Sequence, residues 1–236
     1  MTLHETNNEE FSPTAEQRVL VEYLSKESGD AKVVVQGPVG SGKTTTAYLL
    51  CSMLLRKGEL ILVLGPSPLL HVYERMFSRS ELPCKVERWD EAHIAMMTDA
   101  REASPAALAP KQGMVLVDFH CLLRSWPREF LALVPFTFVL VEELDMLQCQ
   151  GGLAGLKSLL TSLRPRQVLA LTLGIDLTRT LEEWGFLVQQ WRGREKGQEI
   201  SWGTLNYSRS SREVLFLAEL QAFSMNLRHD PAFVIL

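Results

Sequence analysis

Apolar residues in this chain fall into short unbroken runs, separated by stretches where they recur every three or four positions. The runs at 31–36, 60–64, 114–117, 138–141 and 167–171 are rich in Val and Leu, with Lys32, Gln36 and Gln167 their only polar members. A run without polar alternation is what a strand buried on both faces requires. A weaker strand is expected at 84–89. Helical spacing predicts helices at 14–24, opening on Thr14 as a cap, and at 45–57, with Gly58 as a stop. Gly65-Pro66-Ser67-Pro68 breaks the pattern before another helix at 69–77, and 90–112, with Pro105 and Pro110, reads as a helix and a loop. Buried strands alternating with helices predict an α/β fold, a mostly parallel sheet with helices on both faces.

The ends differ from this middle. Residues 1–10 are polar and acidic and read as a mobile tail without a signal peptide. From about Trp184 the pattern changes to a charged turn at 192–197 and an edge strand at 199–205. A linker or cap at 208–212, an amphipathic helix at 213–227 and the start of a buried strand at 232–236 follow. A length of 236 residues suits one large domain with or without an appendage. The net charge of −4 gives no global positive field for nucleic acid or an anionic membrane, so any such contact must be local. No apolar run is long enough to cross a bilayer. Four scattered cysteines, Cys51, Cys84, Cys121 and Cys149, read as reduced thiols of a cytoplasmic protein.

The chemistry centres on Gly37-Pro38-Val39-Gly40-Ser41-Gly42-Lys43-Thr44, which fits G-x-x-x-x-G-K-[ST] between a strand and a helix. Glycines there let backbone N–H groups approach phosphates with no Cβ in the way. The expected nucleotide-binding residues are Gly37, Gly40, Ser41, Gly42, Lys43, Thr44 and Thr45, with Lys43 on the β and γ phosphates and the Thr44 hydroxyl on Mg²⁺. Val139-Leu140-Val141-Glu142-Glu143-Leu144-Asp145 ends a strand in acids. One carboxylate, Glu142, is expected to hold Mg²⁺ with Thr44. The other, Glu143, is expected to orient or deprotonate the attacking water, making it catalytic beside Lys43.

Together these segments resemble the superfamily 2 helicases. Glu142-Glu143-Leu144-Asp145 is similar to their D-E-x-D motif, with Glu142 for the first Asp. Phe11 and Thr14-Ala15-Glu16-Gln17 resemble the aromatic and glutamine that read adenine, which implies Gln17 in that role. Leu64-Gly65-Pro66-Ser67 followed by Leu69-Leu70 resembles an element that contacts the nucleic-acid backbone. Val117 to Arg124 is similar to T-x-H-x-L-L-R of the competence helicase ComFA, with Asp118 for Thr. Leu171-Thr172-Leu173-Gly174-Ile175 resembles L-T-A-T-P, with Gly174 for the second Thr. The likeness is to the ComFA, PriA and RecG branch of DNA translocases.

The resemblance implies a RecA-like P-loop NTPase lobe at 11–185 that binds ATP and Mg²⁺ and acts on single-stranded or duplex DNA. Residues 186–236 would be a C-terminal extension, the start of a truncated second lobe or an extra helix and strand packed back on the first. Without a second lobe to supply an arginine, the lobe is expected to hydrolyse weakly until a partner or another copy completes the cleft. Two other readings stay open: a nucleotide-bound regulatory or adaptor subunit, and a secretion-type P-loop ATPase. A guanine-reading T-K-x-D is missing. His71, His93 and His120 lack metal-ligand spacing. Arg124, Arg128, Arg164 and Arg166 are candidates for a phosphate groove, and Trp89, Trp126, Trp184, Trp191 and Trp202 for base stacking, against ordinary surface and core roles.

Overall fold

The computed structural model describes residues 15–25, 30–38, 40–78, 84–99, 110–173 and 177–191. The expected tail, Phe11, Gly174, Trp202 and every element expected beyond Trp191 lie outside these. In chain order the elements are α1 (Ala15–Ser25), β1 (Ala31–Gln36), α2 (Lys43–Arg56), β2 (Leu60–Gly65) and α3 (Ser67–Ser78). Next come β3 (Val86–Trp89), α4 (Glu91–Asp99), β4 (Gly113–Asp118), α5 (His120–Leu123) and α6 (Ser125–Ala132). Then β5 (Phe138–Val141), α7 (Leu144–Cys149), α8 (Leu153–Leu163), β6 (Gln167–Thr172), α9 (Thr178–Glu183) and β7 (Leu187–Gln190) follow.

The strands form one seven-stranded sheet in the order β3-β4-β2-β5-β6-β1-β7, and each neighbouring pair is parallel. The unbroken runs explain this. Every residue of β2, β5 and β6 is buried, as strands covered on both faces must be. Crossovers between parallel strands are right-handed, so α2 and α3, which step toward β3, cover one face. The later helices step the other way and cover the opposite face. Ligands in such sheets bind beyond the carboxyl ends of strands where the direction of winding reverses. β1 ends there, its Gln36 level with Thr172 of β6 and Gln190 of β7.

Several boundaries differ from the sequence expectation, each for a local reason. α2 begins at Lys43 rather than at 45, because the Thr46 N–H already donates to the Gly42 carbonyl at 3.0 Å. β2 runs through Gly65, and α3 begins at Ser67 rather than 69. Pro68 falls in its first turn, where no backbone N–H is needed, and Leu69 and Leu70 both donate to the Pro66 carbonyl. The sheet also continues past residue 185. β7, with its short, partly exposed Leu-Val-Gln-Gln, lacks the apolar run of the inner strands and pairs with β1 as an edge strand.

Among the described residues no helix is long and apolar enough to cross a membrane. Cys51 and Cys121 are buried free thiols, and burial pushes Cys121 up to about 12, so both behave as packing residues.

Candidate functional site

The loop after β1 is built to receive an anion. Gly40 and Gly42 adopt φ of 82° and 86°, a left-handed conformation that side chains resist. Gly42 is the N-cap of α2 and has no side chain to offer, which leaves the first-turn N–H groups facing the loop. The Gly37 N–H donates to the Thr172 carbonyl at 3.2 Å, locking the loop's entrance to β6. A Cβ on Gly37 would stand 3.0 Å from Ser41 Oγ and 3.1 Å from the Trp191 carbonyl oxygen. Trp191 itself is buried, and its N–H donates to the Gln36 carbonyl at 2.7 Å. The Gln17 side-chain amide lies against Gly42, so α1 reaches the loop. Thr45 is half-buried in the first turn of α2.

Two features show what this cradle would accept. Lys43 is buried, and its ammonium donates to the carbonyls of Gly37 at 2.5 Å and Pro38 at 2.9 Å, curled inside its own loop. Ser41 Oγ is buried without a hydrogen-bond partner among the described residues, a cost that a phosphate oxygen would relieve.

The acids arrive from β5. The Glu142 N–H donates to the Leu64 carbonyl at 2.8 Å, and Gly65 leaves room for the glutamate: a Cβ there would stand 3.3 Å from Glu142 Cβ. The Glu142 side chain is 1% exposed. The Tyr73 hydroxyl of α3 donates to its Oε1. Glu143 caps α7 at φ 52° and ψ 54°, a left-handed backbone that costs a non-glycine residue about 1 kcal/mol or more. Asp145 is buried and accepts from the Thr172 hydroxyl at 2.8 Å and the Leu173 N–H at 3.1 Å, tying the acidic turn to β6.

Electrostatics bind these groups into one cluster. Burial pushes Glu142 up to about 8, with Glu143 adding to the rise and the Tyr73 hydroxyl, Lys43 and Thr44 opposing it. Burial and Asp145 push Glu143 up to about 7, against Lys43. Burial lowers Lys43, while all three acids pull it back. A carboxyl raised in the folded state stabilises the fold only while protonated. That contribution is present below about pH 4.5 and fades as the pH climbs through 7 and 8. In metal-free, nucleotide-free buffer, Glu142→Gln should therefore lose less stability than the parent between about pH 5 and 8.5. The gap should widen with pH in urea unfolding curves. Parallel profiles would show that burial does not govern this carboxyl.

Other candidate residues have partners of their own in the fold or lie on its surface. Arg128 donates to the Leu122 carbonyl at 2.6 Å, and Arg166 pairs with Glu59 at 2.6 Å beside the amino end of β6, away from the P-loop. Arg124 pairs with Glu91 at 2.7 Å, and Arg164 is an exposed left-handed cap of α8. His120 Nδ1 and Asp118 Oδ1 lie 2.6 Å apart on the surface after β4, and His71 packs on Arg88. Trp89 is fully buried and Trp184 lies half-buried under the Lys157 ammonium. The residue that sequence reading missed is Tyr73. Its one signal is a hydroxyl on the apolar face of an amphipathic helix, since a buried tyrosine needs a partner.

Solved structures share this architecture. It matches the SWI2/SNF2 ATPase core of Sulfolobus solfataricus, solved in complex with dsDNA, at a TM-score of 0.52 and 15% identity. That match covers 76% of this chain and 36% of the other. It matches the UvsW helicase of bacteriophage T4 at a TM-score of 0.52 and 12% identity, covering 79% of this chain and 62% of the helicase. No family model and no curated protein matches the sequence. The chain therefore has the RecA-like α/β fold of helicase and SNF2 ATPase cores, and it spans less than two thirds of either structure.

Proposed function

We propose that this lobe binds ATP with Mg²⁺ and works as a helicase-like ATPase on DNA, hydrolysing weakly until a partner or a second copy closes the cleft. The observation that carries this reading is the buried Lys43 and the unpartnered Ser41 Oγ in a loop whose Gly40 and Gly42 adopt left-handed φ, with the buried Glu142 at the end of β5. The phosphates would lie on the N–H groups of Gly40, Ser41 and Gly42, and Lys43 would exchange its two loop carbonyls for phosphate oxygens. Thr44 and Glu142 would hold Mg²⁺, which neutralises phosphate charge when bound. Glu143, raised toward neutrality, is suited to take a proton from water. Gln17, resting on Gly42, is placed by resemblance at the adenine.

DNA as the track is supported by the dsDNA complex of the matched SNF2 core and by the likeness to the ComFA, PriA and RecG motifs. An arginine supplied across such a cleft is worth roughly 10³ to 10⁵ in rate.

The test is steady-state ATP hydrolysis with and without single-stranded and duplex DNA, with Lys43→Ala as the blank. The basal rate is expected below about 1 per second and to rise at least tenfold with DNA. Tens of turnovers per second by a monomer without DNA would overturn the need for a partner. A flat rate at the blank's level with ATP still bound would favour the regulatory subunit.

A further inference from the structure

The Mg²⁺ carboxylate of this lobe hangs on a long side chain. A glutamate has three side-chain torsions, and fixing them costs roughly 1.5 to 2 kcal/mol of rotamer freedom. Glu142 is nevertheless held in a single place. Its backbone is pinned by the Leu64 carbonyl, its Cβ faces Gly65, and the Tyr73 hydroxyl donates to Oε1. Tyr73 has no latitude of its own. It is 1% exposed, it stacks on Phe77 with ring centroids 6.2 Å apart, and Phe77 packs on Tyr48 of α2 at 4.9 Å. A rigid aromatic stack joining α2 and α3 thus carries one hydroxyl, and that hydroxyl meets the acid expected to face the cation.

Resting on the reading of Thr44 and Glu142 as the metal's ligands, we propose that Tyr73 is a positioning residue for the divalent cation. Its phenol occupies Oε1 of Glu142 and thereby leaves Oε2 for the metal. The carboxylate then arrives already oriented, and its rotamer freedom is spent in folding rather than in binding. Outer partners of metal ligands commonly act this way, and their removal costs about 10- to 100-fold in metal affinity. A tyrosine with a purely structural role would affect stability and leave metal affinity alone.

The experiment uses Tyr73→Phe, which keeps the ring and its stacking and removes only the oxygen. The probe is a fluorescent ADP analogue titrated at a series of Mg²⁺ concentrations and in EDTA, with Mn²⁺ binding to the ADP-loaded protein followed by electron paramagnetic resonance. Tyr73→Phe is expected to raise the half-saturating Mg²⁺ and Mn²⁺ concentrations about tenfold, with nucleotide affinity in EDTA unchanged. Unchanged metal affinity would overturn the proposal. So would a parent whose nucleotide affinity ignores Mg²⁺, although nucleotide binding itself would then stand. A parent that binds no nucleotide would overturn this proposal and the functional reading together. Glu142→Asp supplies the second check. Its carboxylate is drawn back from the phenol, so adding Tyr73→Phe to it should weaken metal binding no further. Additive losses would mean that the phenol acts elsewhere.

Discussion

Glu143→Gln is expected to lower ATP turnover by about two to four orders of magnitude and to leave ATP affinity within a few-fold of the parent. The substitution keeps size, shape and most hydrogen bonding, and it removes only the capacity to accept a proton. Its target is held by the backbone: φ 52° and ψ 54° at the cap of α7 leave the side chain at the end of β5. Burial and the neighbouring Asp145 bring the carboxyl up to about 7, where a base is most effective at neutral pH. Because the interaction is made only in the transition state, the loss should fall on kcat and leave KM nearly unchanged. Single-turnover hydrolysis beside equilibrium binding of a fluorescent ATP analogue separates the two. A variant that turns over at the parental rate would remove Glu143 from the mechanism.

Trp89→Ala is expected to cost about 3 to 5 kcal/mol of stability, a large share of the roughly 5 to 15 kcal/mol available to a domain. The ring is fully buried at the end of the short strand β3. It meets Phe130 and Phe136 edge-on, with centroids 6.0 and 6.3 Å away, and its Nε1–H donates to Glu87 Oε2 at 2.8 Å. Alanine would leave a cavity between β3 and the segment from α6 to β5, and Glu87 would lose a donor. For a lobe of this size the midpoint of thermal unfolding should fall by about 10 °C. Trp89→Phe should recover most of that loss. A drop of a degree or two for the alanine variant would show that this edge of the sheet contributes little to cooperative unfolding.

The same tryptophan illustrates what the sequence could say. As an isolated aromatic it suited either a core or a base-stacking role, and only its neighbours from α6 and the loop before β5 decide between them. The P-loop and the acidic turn were legible because each is a contiguous string bound to its own strand end. Strands whose apolar runs are buried on both faces were equally plain, whereas β7 was missed because an edge strand needs no such run. The links between strings were out of reach. Tyr73 to Glu142 and Asp145 to Thr172 join residues far apart in the chain, and no local pattern encodes those pairings. The left-handed turn at Glu143 was hidden for a different reason. That conformation favours glycine, and tertiary structure overrides the local preference there.

The position of β1 in the sheet bears on how the protein is made. β1 leaves the ribosome early, yet its neighbours are β6 and β7, with Ala31 level with Gln167 and Val33 with Leu187. At about 5 to 20 residues per second, the P-loop strand waits on the order of ten seconds for a partner. Meanwhile β2, β3, β4 and β5 can pair among themselves. The proposed nucleotide site would then be completed only after β6 and β7 are made. A nascent chain halted before β6 would carry the whole P-loop sequence and neither sheet neighbour of its strand.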